Sequence, residues 1–121
     1  MLPPEYSQLS QKQKVAHWAH KMQLAMRWAG ESGHEEIEAL DRSVIEQSRA
    51  DDPNIDSMMP QILGALAWAW ADDKDEFLRR VNEQMGTDFV YDMDYLYPSG
   101  KPREKKKINA VQQLWDCIFR R

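Results

Sequence analysis

The chain has 121 residues, of which 42% are hydrophobic and 30% charged, and this composition is that of one globular domain. Its single cysteine excludes an intramolecular disulfide, and its longest uncharged run, Ser57–Ala71, is shorter than the roughly 20 residues needed to cross a bilayer. Since the first residues do not read as a signal peptide either, we expect a soluble cytoplasmic protein with no membrane span.

Charge is unevenly distributed along the chain. The net charge is −4, but residues 31–56 carry nine acidic and two basic side chains, whereas residues 101–121 carry seven basic and two acidic ones. The favoured interpretation is that the basic terminal segments fold back on the acidic middle. Residues 1–9 contain two prolines and are expected to be loosely ordered.

The segment from Ser10 to Ala29 predicts the first α-helix, with Ser7 or Ser10 as its N-cap and Gly30 as a left-handed residue after its end. Its apolar residues recur at steps of three and four and predict a core-facing seam. This seam consists of Val15, Trp18, Ala19, Met22, Ala25, Met26 and Ala29.

The same helix has a second face formed by His17, Lys21, Leu24 and Trp28. A surface helix is normally polar on the side away from its seam. Either another helix covers this face, which is the favoured interpretation, or the face is an exposed patch that binds a partner.

Ser32 and Glu35 have the spacing of a capping box and predict a solvent-facing helix of about four turns that ends near Ala50. Ser57–Ala71 then predicts a central helix, with Ser57 as N-cap and Pro60 in its first turn. Trp68 lies on the back of that helix, so we expect neighbours to cover it on nearly all sides. After a break, a short helix ends at Gly86.

The late segment, residues 87–97, alternates aromatic and acidic residues. A lone strand would have nothing to pair with, so we expect either an extended segment over the bundle or a short helical turn. A loop at 98–104 and an amphipathic helix over Lys105–Arg121 follow. The sequence therefore predicts a single all-α domain, residues 1–121, built as a bundle of four to five helices.

No catalytic, metal or cofactor motif is convincing. His17 and His20 lack the further ligands of a zinc site, and the acids near Asp92 do not match a calcium loop. Cys117 has no histidine near it in sequence that could activate it as a nucleophile. We expect a protein that is not an enzyme and that uses no cofactor.

The predicted function is a non-catalytic protein–protein interaction module: an adaptor, small inhibitor or regulator of the kind that phages and mobile elements encode. The predicted partner is another protein, and the apolar C-terminal helix also makes a homodimer plausible. The predicted contact residues are Leu24, Trp28, Tyr91, Tyr95 and Tyr97.

The alternative is a nucleic-acid-associated regulator, because the C-terminal basic residues are suited to neutralising phosphates. The whole chain is acidic, however, and no recognition helix stands out. The residues for this alternative are Lys101, Arg103, Lys105, Lys106, Lys107, Arg120 and Arg121.

Overall fold

A computed structural model describes residues 5–98, and within this range the chain is all α-helical, with no β-strand. The predicted fold class is therefore confirmed for this part of the chain. The five helices described are α1 (Gln11–Glu31), α2 (Arg42–Asp51), α3 (Ile55–Trp70), α4 (Lys74–Met85) and α5 (Met93–Leu96). The predicted C-terminal helix, Lys105–Arg121, and the predicted loop after Pro98 lie outside the described residues.

α1 begins as predicted but continues past its predicted end. Ser10 Oγ accepts the Gln13 N–H while the Gln13 side chain accepts the Ser10 N–H, so a capping box starts the helix. Gly30 is helical, and the left-handed residue is Gly33, at φ +88°. The predicted role of Gly30 is therefore wrong. A Cβ at Gly30 would lie 3.0 Å from Cγ of Glu36, so the glycine permits close packing instead.

The predicted four-turn helix over residues 32–50 is wrong, because a short 3-10 turn and a break precede α2. Asp41 caps α2 with its side chain. The break is stabilised from α4, where Gln84 Nε2 donates to the carbonyl oxygens of Ile37 and Leu40, at 2.8 Å each. These bonds satisfy carbonyl groups that a continuous helix would bond internally.

α3 is the central helix, as predicted, but Ser57 lies inside it rather than at its N-cap, and Pro60 lies in its second turn. Trp68 and Trp70 are half-buried, so the expected cover on nearly all sides is incomplete at the C-terminal end of α3. The predicted break after α3 is confirmed, and Asp73 caps α4 there. The buried side chains of α3 include Ile55, Met58, Met59, Ile62, Leu63 and Leu66.

The aromatic-rich late segment combines the two conformations that the sequence left open. Residues 87–92 have no regular secondary structure, with an extended backbone at Asp92, and α5 is a single turn capped by Asp92. Asn82 on α4 bonds the backbone N–H and carbonyl of Phe89, at 2.8 and 2.9 Å. α5 packs on Gly64 of α3, where a Cβ would lie 3.0 Å from the Asp92 carbonyl oxygen, so a glycine is needed for this contact.

The expectation that residues 1–9 are loosely ordered is wrong for Tyr6. This residue begins a 3-10 turn, is buried, and bonds to both Trp18 and Asp52. The order arises because a long-range partner, 46 residues further along the chain, satisfies the Tyr6 hydroxyl group.

Candidate protein-interaction site

Leu24 and Trp28 lie one turn apart on the outer surface of α1. Trp28 is 73% exposed and Leu24 is 45% exposed, which places them among the few large apolar side chains that solvent reaches in residues 5–98. At these two positions, the described chain leaves the second face of α1 uncovered. Adjacent exposed apolar side chains on a regular helix are typical of a binding surface.

Of the other two residues of the predicted second face, His17 is half-buried, under an element that the sequence did not indicate, and Lys21 is exposed. The His17 ring makes edge contacts with Tyr6 and Trp18, with ring centroids 5.4 and 5.3 Å apart. Burial lowers the pKa of His17, and the charges of Lys21 and His20 lower it further. The N-terminal segment therefore covers this face at His17, and the face stays exposed from Lys21 to Trp28.

Tyr6, Trp18 and Asp52 form a buried hydrogen-bonded group that we call the Tyr6 anchor. Trp18 Nε1 donates to the Tyr6 hydroxyl at 2.7 Å, and this hydroxyl donates to the Asp52 carboxylate. The other carboxylate oxygen accepts the Asn54 N–H at 2.9 Å. Burial and the bond to Asp52 raise the pKa of Tyr6 to about 12. Because its polar groups satisfy one another, the anchor has the character of a structural link.

A groove of about 170 Å³ separates α1 from α2 beside the exposed residues. Lys21 Nζ approaches Asp51 Oδ2 across it, at 4.0 Å, and lies 5.2 Å from the centre of the Trp18 ring. Ala25, which lines the groove, lies three positions before Trp28, so Trp28 follows the groove by one turn of α1 and Leu24 lies on its flank. We call Leu24, Trp28 and this groove the Trp28 face. The groove is lined by Trp18, Lys21, Met22, Ala25, Val44, Gln47, Ser48 and Asp51.

The three tyrosines predicted as contact residues are all partly used inside the molecule. The Tyr91 hydroxyl donates to the Lys74 carbonyl, and burial, followed by the charge of Asp75, raises the pKa of Tyr91. Tyr95 and Tyr97 are half-buried against the core. These side chains therefore help to pack the late segment on the bundle and offer less free surface than Trp28.

Two exposed residues of the late segment were not selected by the sequence reasoning. Val90 is 65% exposed and Met93 is 60% exposed. The period-two pattern indicated the exposure of Val90. In such a pattern Val90 falls on the same side of the segment as Asp88 and Asp92, and Phe89 falls on the opposite side. These residues lie on the segment that packs against α3 and α4, so the structure does not join them to the Trp28 face.

The seven basic residues of the nucleic-acid alternative, between Lys101 and Arg121, lie outside the described residues. That alternative therefore remains a prediction.

Within residues 5–98, no group of three or more His, Cys, Asp or Glu side chains is placed to hold a metal ion. No helix of the same range is long and apolar enough to cross a membrane. Comparisons with protein-family models, with curated proteins and with solved structures found no match. A functional assignment therefore depends on the Trp28 face.

Proposed function

We propose that the protein is a non-catalytic protein–protein interaction module, an adaptor, small inhibitor or regulator that acts in the cytoplasm. The observation that carries the proposal is the 73% exposure of Trp28, beside Leu24 and a groove, on a helix whose opposite side is packed in the core. Tryptophan contributes strongly to protein–protein binding, because its burial removes a large, rigid apolar surface from water.

The shape of the Trp28 face fits an amphipathic helix of the partner. Met22, Ala25 and Val44 provide apolar surface between two helices, and a partner helix would place its own apolar side chains there. Residues 31–56, which include the whole of α2, carry nine acidic and two basic side chains. Basic residues beside the apolar stripe of the partner would therefore favour encounter and orientation.

The direct test is capture of a partner by the tagged full chain, with Trp28→Ala as the variant and Val90→Ala as the matched control. Val90 is also exposed and apolar but belongs to the late segment rather than to α1. We expect the wild type and Val90→Ala to retain a protein that Trp28→Ala loses. With that protein purified, we expect Trp28→Ala to raise Kd by roughly 30-fold, since loss of such a residue costs about 2 kcal/mol or more. If the wild type and Trp28→Ala retrieve the same proteins, the proposal is wrong.

Light scattering over a range of protein concentrations tests the predicted homodimer. A wild-type dimer that becomes a monomer in Trp28→Ala would identify the partner as a second copy of this chain. A dimer that persists in Trp28→Ala would place self-association on another surface.

The nucleic-acid alternative is tested with labelled duplex and single-stranded DNA at low salt. Binding that weakens steeply as salt rises would favour it, because each phosphate contact releases counterions. Absence of binding at micromolar protein would reject it.

A further inference from the structure

The described part of the chain and the residues that follow it carry opposite charge. Residues 5–98 contain 18 acidic and 9 basic side chains, a net charge of −9. Residues 99–121, which we call the tail, contain 2 acidic and 7 basic side chains, a net charge of +5. The basic residues lie at the two ends of the tail, Lys101–Lys107 and Arg120–Arg121. Opposite charges of this size favour contact between the tail and residues 5–98, which we call the body.

The middle of the tail is apolar on one side. In the helix that the sequence predicts for residues 105–121, at 100° per residue, the large apolar side chains would fall on one broad face and Cys117 would lie outside that face. A surface of this kind is unfavourable in water unless something covers it. The residues concerned are Ile108, Val111, Leu114, Trp115, Ile118 and Phe119.

Two places on the body offer large exposed apolar side chains: the Trp28 face, and Val90 with Met93. The Trp28 face lies on a helix of 21 residues and adjoins a groove, so it can align with several turns of a second helix. Met93, in contrast, begins a helix of four residues, and Val90 lies in a segment without regular secondary structure. The length of the apolar stripe in the tail therefore matches the Trp28 face better.

The linker before the apolar stripe allows the tail to fold back over much of the surface of residues 5–98. Nine residues, 99–107, separate Pro98 from the first apolar residue of the stripe. Nine extended residues span about 30 Å, and the way from one side of a domain of this size to the opposite side along its surface is roughly 50 Å. The basic residues that flank the stripe would then lie near the acidic residues 31–56, whose net charge is −7.

We infer that residues 105–121 of the same chain bind the Trp28 face and shield it until a partner displaces them. The inference rests on the proposed function, because it names a competitor for the same site. The contact is autoinhibitory: the tail takes the place that an amphipathic helix of the partner would occupy. Partner binding then depends on how much more tightly the helix of the partner binds the Trp28 face than the tail does.

A nitroxide label on Cys117, the single cysteine, tests the contact in the full chain. We expect the label to reduce the intensities of ¹⁵N amide signals most strongly for residues 24–31 and 44–48, relative to a diamagnetic label. Trp28→Ala should restore these intensities, and Val90→Ala should not. Reversal of charge at Lys105, Lys106 and Lys107 to Glu should also restore them, because the basic end no longer favours the acidic helices.

Three results would overturn the inference: no reduction on α1, a stronger reduction at residues 90–96, or an equal reduction when the label is carried only by an unenriched second copy. The last result would assign the face to a second copy. The proposed function is judged separately, by partner capture. If α1 signals stay sharp while Trp28→Ala still loses the partner, the tail inference fails and the interaction module stands. If α1 signals are reduced but capture is unchanged, the shielding contact stands and the proposed function fails.

Discussion

Trp18 and Trp28 lie on the same helix, ten residues apart, in opposite environments. Trp18 is 2% exposed and donates its N–H to Tyr6, whereas Trp28 is 73% exposed. At 100° per residue the two side chains leave α1 only about 80° apart, so helix rotation alone does not account for the difference. The first indole is covered by Tyr6 and stabilised by the link to Asp52, and nothing comparable in residues 5–98 covers the second.

The comparison separates two uses of tryptophan that look alike in the sequence. In the Tyr6 anchor, the indole has both an apolar environment and an acceptor for its N–H, which is the usual state of a buried tryptophan. On the Trp28 face, the indole offers the same apolar area to a second helix. One helix thus stabilises the fold near its start and provides a binding surface near its end.

Trp18→Ala should have the largest effect on stability. The substitution removes a buried side chain and leaves a cavity between α1 and α2, so we expect the free energy of unfolding to fall by about 3 to 5 kcal/mol. Urea denaturation followed by circular dichroism measures the change. A loss below about 1 kcal/mol would show that Trp18 is not in the core.

Tyr6→Phe should have the next largest effect. The ring is kept, but the buried Trp18 N–H and the Asp52 carboxylate each lose a partner, so we expect a loss of about 1 to 3 kcal/mol in the free energy of unfolding. Tyr95→Phe is the matched control, since its hydroxyl makes no hydrogen bond within residues 5–98, and we expect a change within about 0.5 kcal/mol. Equal losses in the two variants would show that the hydrogen bonds of the Tyr6 hydroxyl do not stabilise the buried environment of Trp18.

The local features of the fold were predictable and the long-range ones were not. α1, α3 and α4 follow from helical periodicity and from caps or stops such as Ser10 and Gly86, whose effects act over a few residues. The break before α2 depends on Gln84, which lies more than 40 residues further along the chain. The capping-box pattern at Ser32 instead predicted one continuous helix from there to Ala50. The order at Tyr6 likewise depends on a residue far along the chain.

The candidate site was half predictable for the same reason. Helical spacing grouped Leu24 and Trp28 correctly with His17, but only the structure shows that Tyr6 covers His17 and leaves the other two exposed. The tyrosines of the late segment were chosen because aromatic residues often bind partners. Their packing on α3, which depends on the missing side chain of Gly64, could not be read from that pattern.

Trp28→Ala should lower the free energy of unfolding by about 1 kcal/mol or less, far below the effect of Trp18→Ala. The indole is exposed in the described body, so its removal leaves no cavity in the core, and any contact with the tail opens before the bundle unfolds. Urea denaturation of the two alanine variants under identical conditions gives the comparison. A loss as large as that of Trp18→Ala would mean that Trp28 belongs to a second core, and the contrast between the two tryptophans would fail.

The smallest effect should appear in the pH dependence of stability, through His17 at the boundary between the two regions. Burial holds the pKa of His17 below its ordinary value of 6.5, so in the folded state the ring binds a proton less readily than in the unfolded chain. The contribution to stability is therefore level above about pH 6.5 and is lost progressively as the pH falls from there toward the lowered pKa. We expect wild type to lose stability as the pH falls from about 6.5 to 5.5, and His17→Asn to lose less over the same window. If His17→Asn and wild type have parallel pH profiles, the His17 ring is solvated, and the cover that Tyr6 provides does not extend beyond Trp18.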